Sequence, residues 1–488
     1  MELGLSFASS VILARGLGVN DYGLLISVVT VISLVTFFTS FGFEEILNYY
    51  IPKLSVSQGP EGANFLLRIL VILRALIYGA TLGLIFIFNK DIAAILGFPA
   101  ISVYLRIASL YFFFGGVASL FLSNFFGRLL VKEVAVVRVL SSIVGLVLTI
   151  IVLFVLRLGL SGQLWAMGLS SLFTLILYLW FSLKYLQNAT STIALKPVLV
   201  FGLTVWLTNL VNYVLGKQFD ILVLGHFLKD AKTLGFYSLA FSIIAILGTL
   251  MTMGAAGVSS ATFAEIAHKK EWDKLRLALR VHIKLDSFLL IPPVIFALFF
   301  GRQIISIIYG SSYSSAFQFL IIFGFFNILS RPLGGGTTTS VLYALNLERL
   351  VMFLRGGAGI LNIILALFFL ITLNLGATGV ALATGFVGLF LGILEFSALF
   401  YKFRPSVPVL YHLKLLLAIL SGLLIVFWIN PTNLFMLALT ALIFAFFTFL
   451  VLLFLKPIEN EEYVLLEKVL PAFAVKSLKL IKVWKNLK

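Results

Sequence analysis

Apolar, uncharged stretches of about 20 residues recur along the chain, each long enough to cross a bilayer core as a helix. Lys, Arg, Asp, Gly and Pro gather in the short segments between them. The runs are continuous and lack a period of two, which argues against a barrel. A helix, which satisfies its own backbone groups, is the other way to span lipid. The pattern predicts about fourteen spans, near residues 3–16, 22–43, 66–88, 101–125, 134–156, 164–186, 198–224, 234–263, 285–309, 317–345, 350–372, 378–401, 411–429 and 433–455. The first is too short to cross ~30 Å of hydrocarbon at ~1.5 Å per residue, so we expect the chain as written to start late in that helix.

Composition removes the soluble alternatives. Of 488 residues, 61% are apolar and only 11% charged, too few to cover a water-facing surface. The absence of cysteine excludes disulfides, thiolate metal sites and cysteine nucleophiles. In so apolar a chain the net charge of +16 points to loops lying against anionic lipid headgroups, not to nucleic acid. The first apolar run leads straight into further spans, so no cleaved signal peptide is expected. Cytoplasmic termini would leave Arg15, Lys90, Arg157, Lys217, Lys229, Lys232 and Arg302 outside, Arg74, Arg106 and Arg331 within spans, and the other basic residues inside. That asymmetry predicts a multi-pass protein of the cytoplasmic membrane with both termini in the cytoplasm. Two segments, Ala264–Asp286 and the tail Tyr463–Lys488, intersperse lysines and arginines with Trp272, Leu275, Leu279, Ile481 and Trp484, and read as basic amphipathic helices on the inner membrane surface.

The halves are weakly similar at a nearly constant offset. Tyr22-Gly23-Leu24, Ser27 and Gly42 match Tyr237-Ser238-Leu239, Ser242 and Gly257, and Gly97 matches Gly310. The clearest pair is Leu158-Gly159, Gly162, Ala166 and Gly168 against Leu375-Gly376, Gly379, Ala383 and Gly385, 217 residues apart. An offset of six spans gives repeats of the same orientation, related by a pseudo-two-fold axis along the membrane normal. The predicted fold is therefore all-α: two pseudo-symmetric six-helix lobes, 1–190 and 191–405, two extra transmembrane helices at 406–456, and a basic amphipathic cytoplasmic tail at 457–488. Rocking of the lobes would expose a central cavity to each side in turn.

A charge near the bilayer centre costs about 2.5–3.5 kcal/mol on insertion scales, so the charges that remain mark candidate sites. They are Arg68 and Arg74 in the third span, Arg106 in the fourth, Arg138 in the fifth, Arg331 in the tenth, Arg355 in the eleventh and Glu395 in the twelfth. The six arginines are the candidate cavity ligands: fixed positive charge attracts phosphate and repels cations. Snorkelling or structural ion pairing is the competing use of each. In the seventh span Lys217 and Asp220 share a helical face, where they either neutralise each other or, with Asn209 and Asn212, hold a coupling proton or sodium ion. Glu44 and Glu45 read as solvated carboxylates at headgroup level. Arg331-Pro332-Leu333-Gly334-Gly335-Gly336 and its repeat mate Gly115-Gly116 are candidate helix breaks or close-packing points, and Ile291-Pro292-Pro293 a kink. His226, His268, His282 and His412 form no metal-ligand spacing, no Walker A motif is present, and Asp21, Asp91 and Asp230 lie on separate outer loops. No enzyme chemistry and no cofactor are expected.

Several segments resemble a known family. Ala14-Arg15-Gly16-Leu17-Gly18 with Tyr22-Gly23 resembles the "ARxLGxxxYG" opening of Wzx-like oligosaccharide flippases, in the multidrug/oligosaccharidyl-lipid/polysaccharide exporter superfamily. The stretch from Gly42 to Pro52 is similar to that family's glycine-to-proline segment, with Glu44 and Glu45 an acidic departure. Asp220, Leu224-Gly225, Gly235, Tyr237 and Ala240 resemble its second-lobe signature, Tyr309-Gly310, Tyr313 and Ala316 its "GxxYxxA", and Gly376, Gly379, Ala381 and Ala383 its "GxxGxAxA". The resemblance implies a MATE-like fold that moves a polyprenyl-(pyro)phosphate-linked oligosaccharide across the membrane by alternating access. The alternatives are an ion-coupled drug or organic-cation exporter of the same superfamily and a membrane glycosyltransferase or polymerase. Expected partners are the lipid-linked oligosaccharide, anionic lipids, an H+ or Na+ coupling ion and polysaccharide-assembly proteins, without nucleic acid.

Overall fold

The computed structural model describes residues 2–95, 97–187, 193–251, 255–456 and 462; the basic tail expected from 463 to 488 lies outside the described residues. Every regular element among the described residues is a helix. They group into two compact units, 1–238 and 239–488. The first holds α1 (Glu2–Ser40), α2 (Phe43–Ser57), α3 (Gly59–Ile95), α4 (Ser102–Gly127), α5 (Val131–Ile150), α6 (Gly159–Leu186), α7 (Leu195–Val214), α8 (Lys217–Leu228) and the start of α9 (Ala231–Met251). The second holds the rest of α9, then α10 (Ala255–His268), α11 (Trp272–Phe299), α12 (Gly301–Ile308), α13 (Phe317–Ser330), α14 (Gly336–Ala344), α15 (Glu348–Leu367), α16 (Gly376–Phe403), α17 (Val409–Val426) and α18 (Leu434–Phe454).

Among the described residues twelve helices are long and apolar enough to cross a membrane. α1 covers the first two predicted spans, turning at Gly18 (φ 72°, ψ 173°), and the apolar part of α7, Leu195–Val211, is shorter than the rest. Large apolar side chains such as Leu424, Trp428, Phe435 and Leu442 stand exposed on these helices. In water such a surface forgoes roughly 25 cal/mol per Å² of burial, whereas lipid tails cover it. The protein is a multi-pass membrane protein.

The sequence repeat is also a repeat of backbone. α5 closes in one π-helical turn, Ile151–Val155, passes Arg157 and Gly159 at φ 51° and 58°, and enters α6. α15 closes in a π turn, Phe368–Thr372, passes Asn374 and Gly376 at φ 52° and 57°, and enters α16. Each boundary recurs 217 residues on.

Four local expectations change. α2 is a helix the span reading missed: only 15 residues long, it buries Phe43, Ile46, Leu47, Ile51 and Leu54 against Leu66, Leu70, Phe121 and Phe125 of α3 and α4. The basic stretch 264–286 is not a separate surface helix. It is the end of α10, a turn at Lys270 (φ 55°) and the first half of α11, whose Leu275, Leu279 and Ile283 pack against Val341, Val351 and Leu399. α4 runs unbroken through Gly115-Gly116; a Cβ on Gly116 would fall 1.8 Å from the Tyr78 ring, so this glycine serves close packing. α11 continues through Pro292 and Pro293. By contrast, its repeat mate is interrupted: a 3-10 turn, Arg331–Leu333, is followed by Gly334 (φ 88°) and Gly335 (φ 46°, ψ −131°), the latter open only to a residue without Cβ.

Candidate functional site

Three arginine clusters gather most of the polar groups expected to carry function. In the first unit Arg74 of α3 is fully buried. Its Nη2 lies 2.7 Å from Glu44 Oε2 and donates to the Ser40 carbonyl at 3.1 Å; its Nη1 donates to the Tyr78 hydroxyl at 2.6 Å. The guanidinium also stands over the rings of Phe43 and Tyr78. Glu44 is therefore no headgroup-level carboxylate: α2 folds back and carries it to Arg74, and its second oxygen accepts from Ser119 at 2.7 Å. Neighbouring Glu45 accepts from Asn209 Nδ2 at 2.8 Å.

Ser119 also lines a cavity of about 290 Å³ inside the same unit, bounded by α4, α5 and α6. Arg138, Ser141, Ser142, Ser171, Thr174 and Tyr178 form its polar wall. Thr174 donates to Ser141 Oγ at 2.8 Å, and the Arg138 guanidinium stands over the Phe126 ring. None of the described lining residues is acidic.

In the second unit Arg355 Nε lies 3.4 Å from Glu395 Oε1 and its Nη2 donates to Thr339 Oγ1 at 3.3 Å; Thr339 in turn donates to Glu395 Oε2 at 2.6 Å. Arg331, at the helix break, pairs with Asp286 at 3.1 Å and reaches Asn327 Oδ1 at 3.3 Å. Arg68 and Arg106 are exposed. The six expected cavity arginines thus divide: Arg74, Arg331 and Arg355 hold carboxylates, Arg138 faces a polar cavity, and Arg68 and Arg106 lie on the surface.

Lys217 and Asp220 stand at the start of α8, where Lys217 Nζ donates to Ser238 at 3.2 Å and the buried Asp220 accepts from the Tyr237 hydroxyl at 2.6 Å. Asn209 is engaged with Glu45; the side chain of Asn212 lies outside the described residues. Sequence reading also passed over a buried pair in the second unit, Lys284 with Glu462 at 2.6 and 2.8 Å, with Arg280 at 3.4 Å from the same carboxylate. Lys284 had been counted among the surface lysines, and only the packing of its helix reveals the difference. The serines of the cavity gave no signal as single residues in apolar helices; their convergence is visible only in the fold.

Several solved structures share this architecture. The inward closed conformation of the lipid II flippase MurJ superposes with a TM-score of 0.71 at 16% identity, covering 92% of this chain and 96% of that one. An inward-facing multidrug resistance MATE family transporter of the MOP superfamily gives 0.69 at 17% identity, covering 82% and 93%. A MOP superfamily transporter from Pyrococcus furiosus gives 0.57 at 18% identity, covering 81% and 92%. No curated protein matches by sequence. Residues 12–318 match the family profile described as polysaccharide biosynthesis protein. That match spans more than half of the chain, which belongs to the polysaccharide biosynthesis protein family.

Proposed function

We propose that the protein is a flippase, not an enzyme, that carries a polyprenyl-(pyro)phosphate-linked oligosaccharide across the cytoplasmic membrane for surface glycan assembly, with both termini cytoplasmic. The observation that carries this reading is the family match over residues 12–318. The MurJ-like and MATE-like fold supports a transporter, and the excess of basic over acidic residues in the chain, 35 against 19, suits an anionic headgroup better than a cationic drug. The candidate substrate ligands remain Arg68, Arg74, Arg106, Arg138, Arg331 and Arg355, and those already holding carboxylates act on the headgroup only after releasing them. Movement of one repeat against the other supplies alternating access. Asp220, with Lys217, Asn209 and Asn212 nearby in sequence, is the proposed proton or sodium coupling site.

Depletion in the source cell tests the reading. Lipid-linked oligosaccharide should build up with its sugar facing the cytoplasm and its mass unchanged. Accumulation of a shortened or unextended glycan instead would mark an enzyme, and loss of drug efflux alone would mark a cation exporter.

A further inference from the structure

The two repeats keep the same arginine in different company. Arg138 on α5 and Arg355 on α15 occupy one place in the 217-residue repeat, and Tyr178 on α6 and Glu395 on α16 occupy another. In the second copy the guanidinium is answered by the chain's own carboxylate, Glu395, steadied by Thr339. In the first copy the matching residue is a tyrosine, and the space beside it is the 290 Å³ cavity with serines and a threonine in its wall. Those hydroxyls belong to the first copy alone: Ser141, Ser142, Ser171 and Thr174 correspond to Ala358, Gly359, Gly388 and Leu391.

We infer that the first-repeat cavity binds an oxyanion supplied from outside the chain, the phosphate or diphosphate of the transported molecule, and that Glu395 fills the equivalent place in the second repeat. The inference rests on the proposed transport of a phosphorylated lipid-linked sugar and assigns its headgroup a position. Arg138 supplies charge in a cavity whose described lining residues include no carboxylate, where an ionic hydrogen bond to phosphate is stronger than in water. Ser141 already accepts from Thr174, so its own proton is available to a ligand oxygen, as a hydroxyl both accepts and donates. Ser119 donates to Glu44, so that carboxylate stands behind the wall, tied to Arg74. The volume is at the lower limit of ligand pockets, about 300–1,000 Å³, and suits one compact polar group better than a whole oligosaccharide.

The test places the second repeat's arrangement in the first. The full-length protein in lipid nanodiscs is titrated with a polyprenyl diphosphate-linked disaccharide and, separately, with inorganic diphosphate. Tyr178→Glu gives Arg138 an internal carboxylate and should weaken binding of both probes about tenfold or more, as should Arg138→Gln; neutral Tyr178→Gln should stay within about threefold of the parent. If Tyr178→Glu does not fold, the contrast between Arg138→Gln and charge-retaining Arg138→Lys carries the test. Equal binding by the Glu and Gln variants, or by Arg138→Gln and the parent, overturns the site. Sensitivity of inorganic diphosphate alone overturns its assignment to the cargo headgroup. The expected binding pattern in a protein that moves no lipid-linked sugar would leave the site standing and sink the transport reading; transport that ignores every variant would do the reverse.

Discussion

Glu44 keeps Arg74 charged and buried. Burying a guanidinium without a partner costs several kcal/mol, and here one carboxylate oxygen supplies the partner while a tyrosine hydroxyl and a carbonyl take two more bonds. Glu44→Gln should destabilise the protein by about 2–3 kcal/mol, below the usual ~3–5 for a fully buried pair because Glu44 is a quarter exposed. Adding Arg74→Met to Glu44→Gln should recover most of the lost thermal stability, since both partners then leave together. A double variant as unstable as the two singles combined would show that the residues do not act as a pair. The sequence marked Arg74 by the expense of its position, yet gave Glu44 to the headgroups, because the two are 30 residues apart and meet only after α2 turns back. The Arg355–Glu395 pair was half legible for the same reason: each charge stood out in its own span, and the contact did not.

Helices were readable wherever their apolar run was long enough to span lipid by itself. α2 escaped because 15 residues carrying two tyrosines, two glutamates and a proline form no such run. The first half of α11 was placed on the membrane surface because an amphipathic pattern reports that one face is buried, without saying whether lipid or protein buries it. Packing between α3 and α4 gives a sharp contrast at neighbouring glycines. Gly116→Ala should cost about 1–3 kcal/mol by driving a methyl into the Tyr78 ring, and should loosen the ring that holds Arg74. Gly115→Ala meets only Ser171 Oγ at 3.8 Å and should leave the melting temperature unchanged. At the break in the second repeat, Gly335→Ala should destabilise by about 1–3 kcal/mol, since φ 46°, ψ −131° is closed to a side chain; an unchanged melting temperature would mean the break relaxes.

Across the whole molecule the duplication was legible because glycines at backbone turns persist when side chains drift. Gly159 and Gly376 sit at the same left-handed corner between the same two helices. The divergence between copies was not legible, since it lies in which arginine meets a carboxylate and which meets hydroxyls. That divergence is the basis for expecting unequal roles, one repeat presenting a cationic site and the other satisfying its own. The central claim is translocation of an intact phosphorylated glycolipid, and it is tested most directly with the purified full-length protein in sealed vesicles holding a fluorescent-sugar polyprenyl diphosphate. A membrane-impermeant quencher added outside should reach about half of the label in protein-free vesicles and nearly all of it with the protein present, with the lipid's mass unaltered and the gain much reduced by Arg138→Gln. Quenching that stays at the protein-free level, under an imposed proton or sodium gradient as well as without one, would contradict the account.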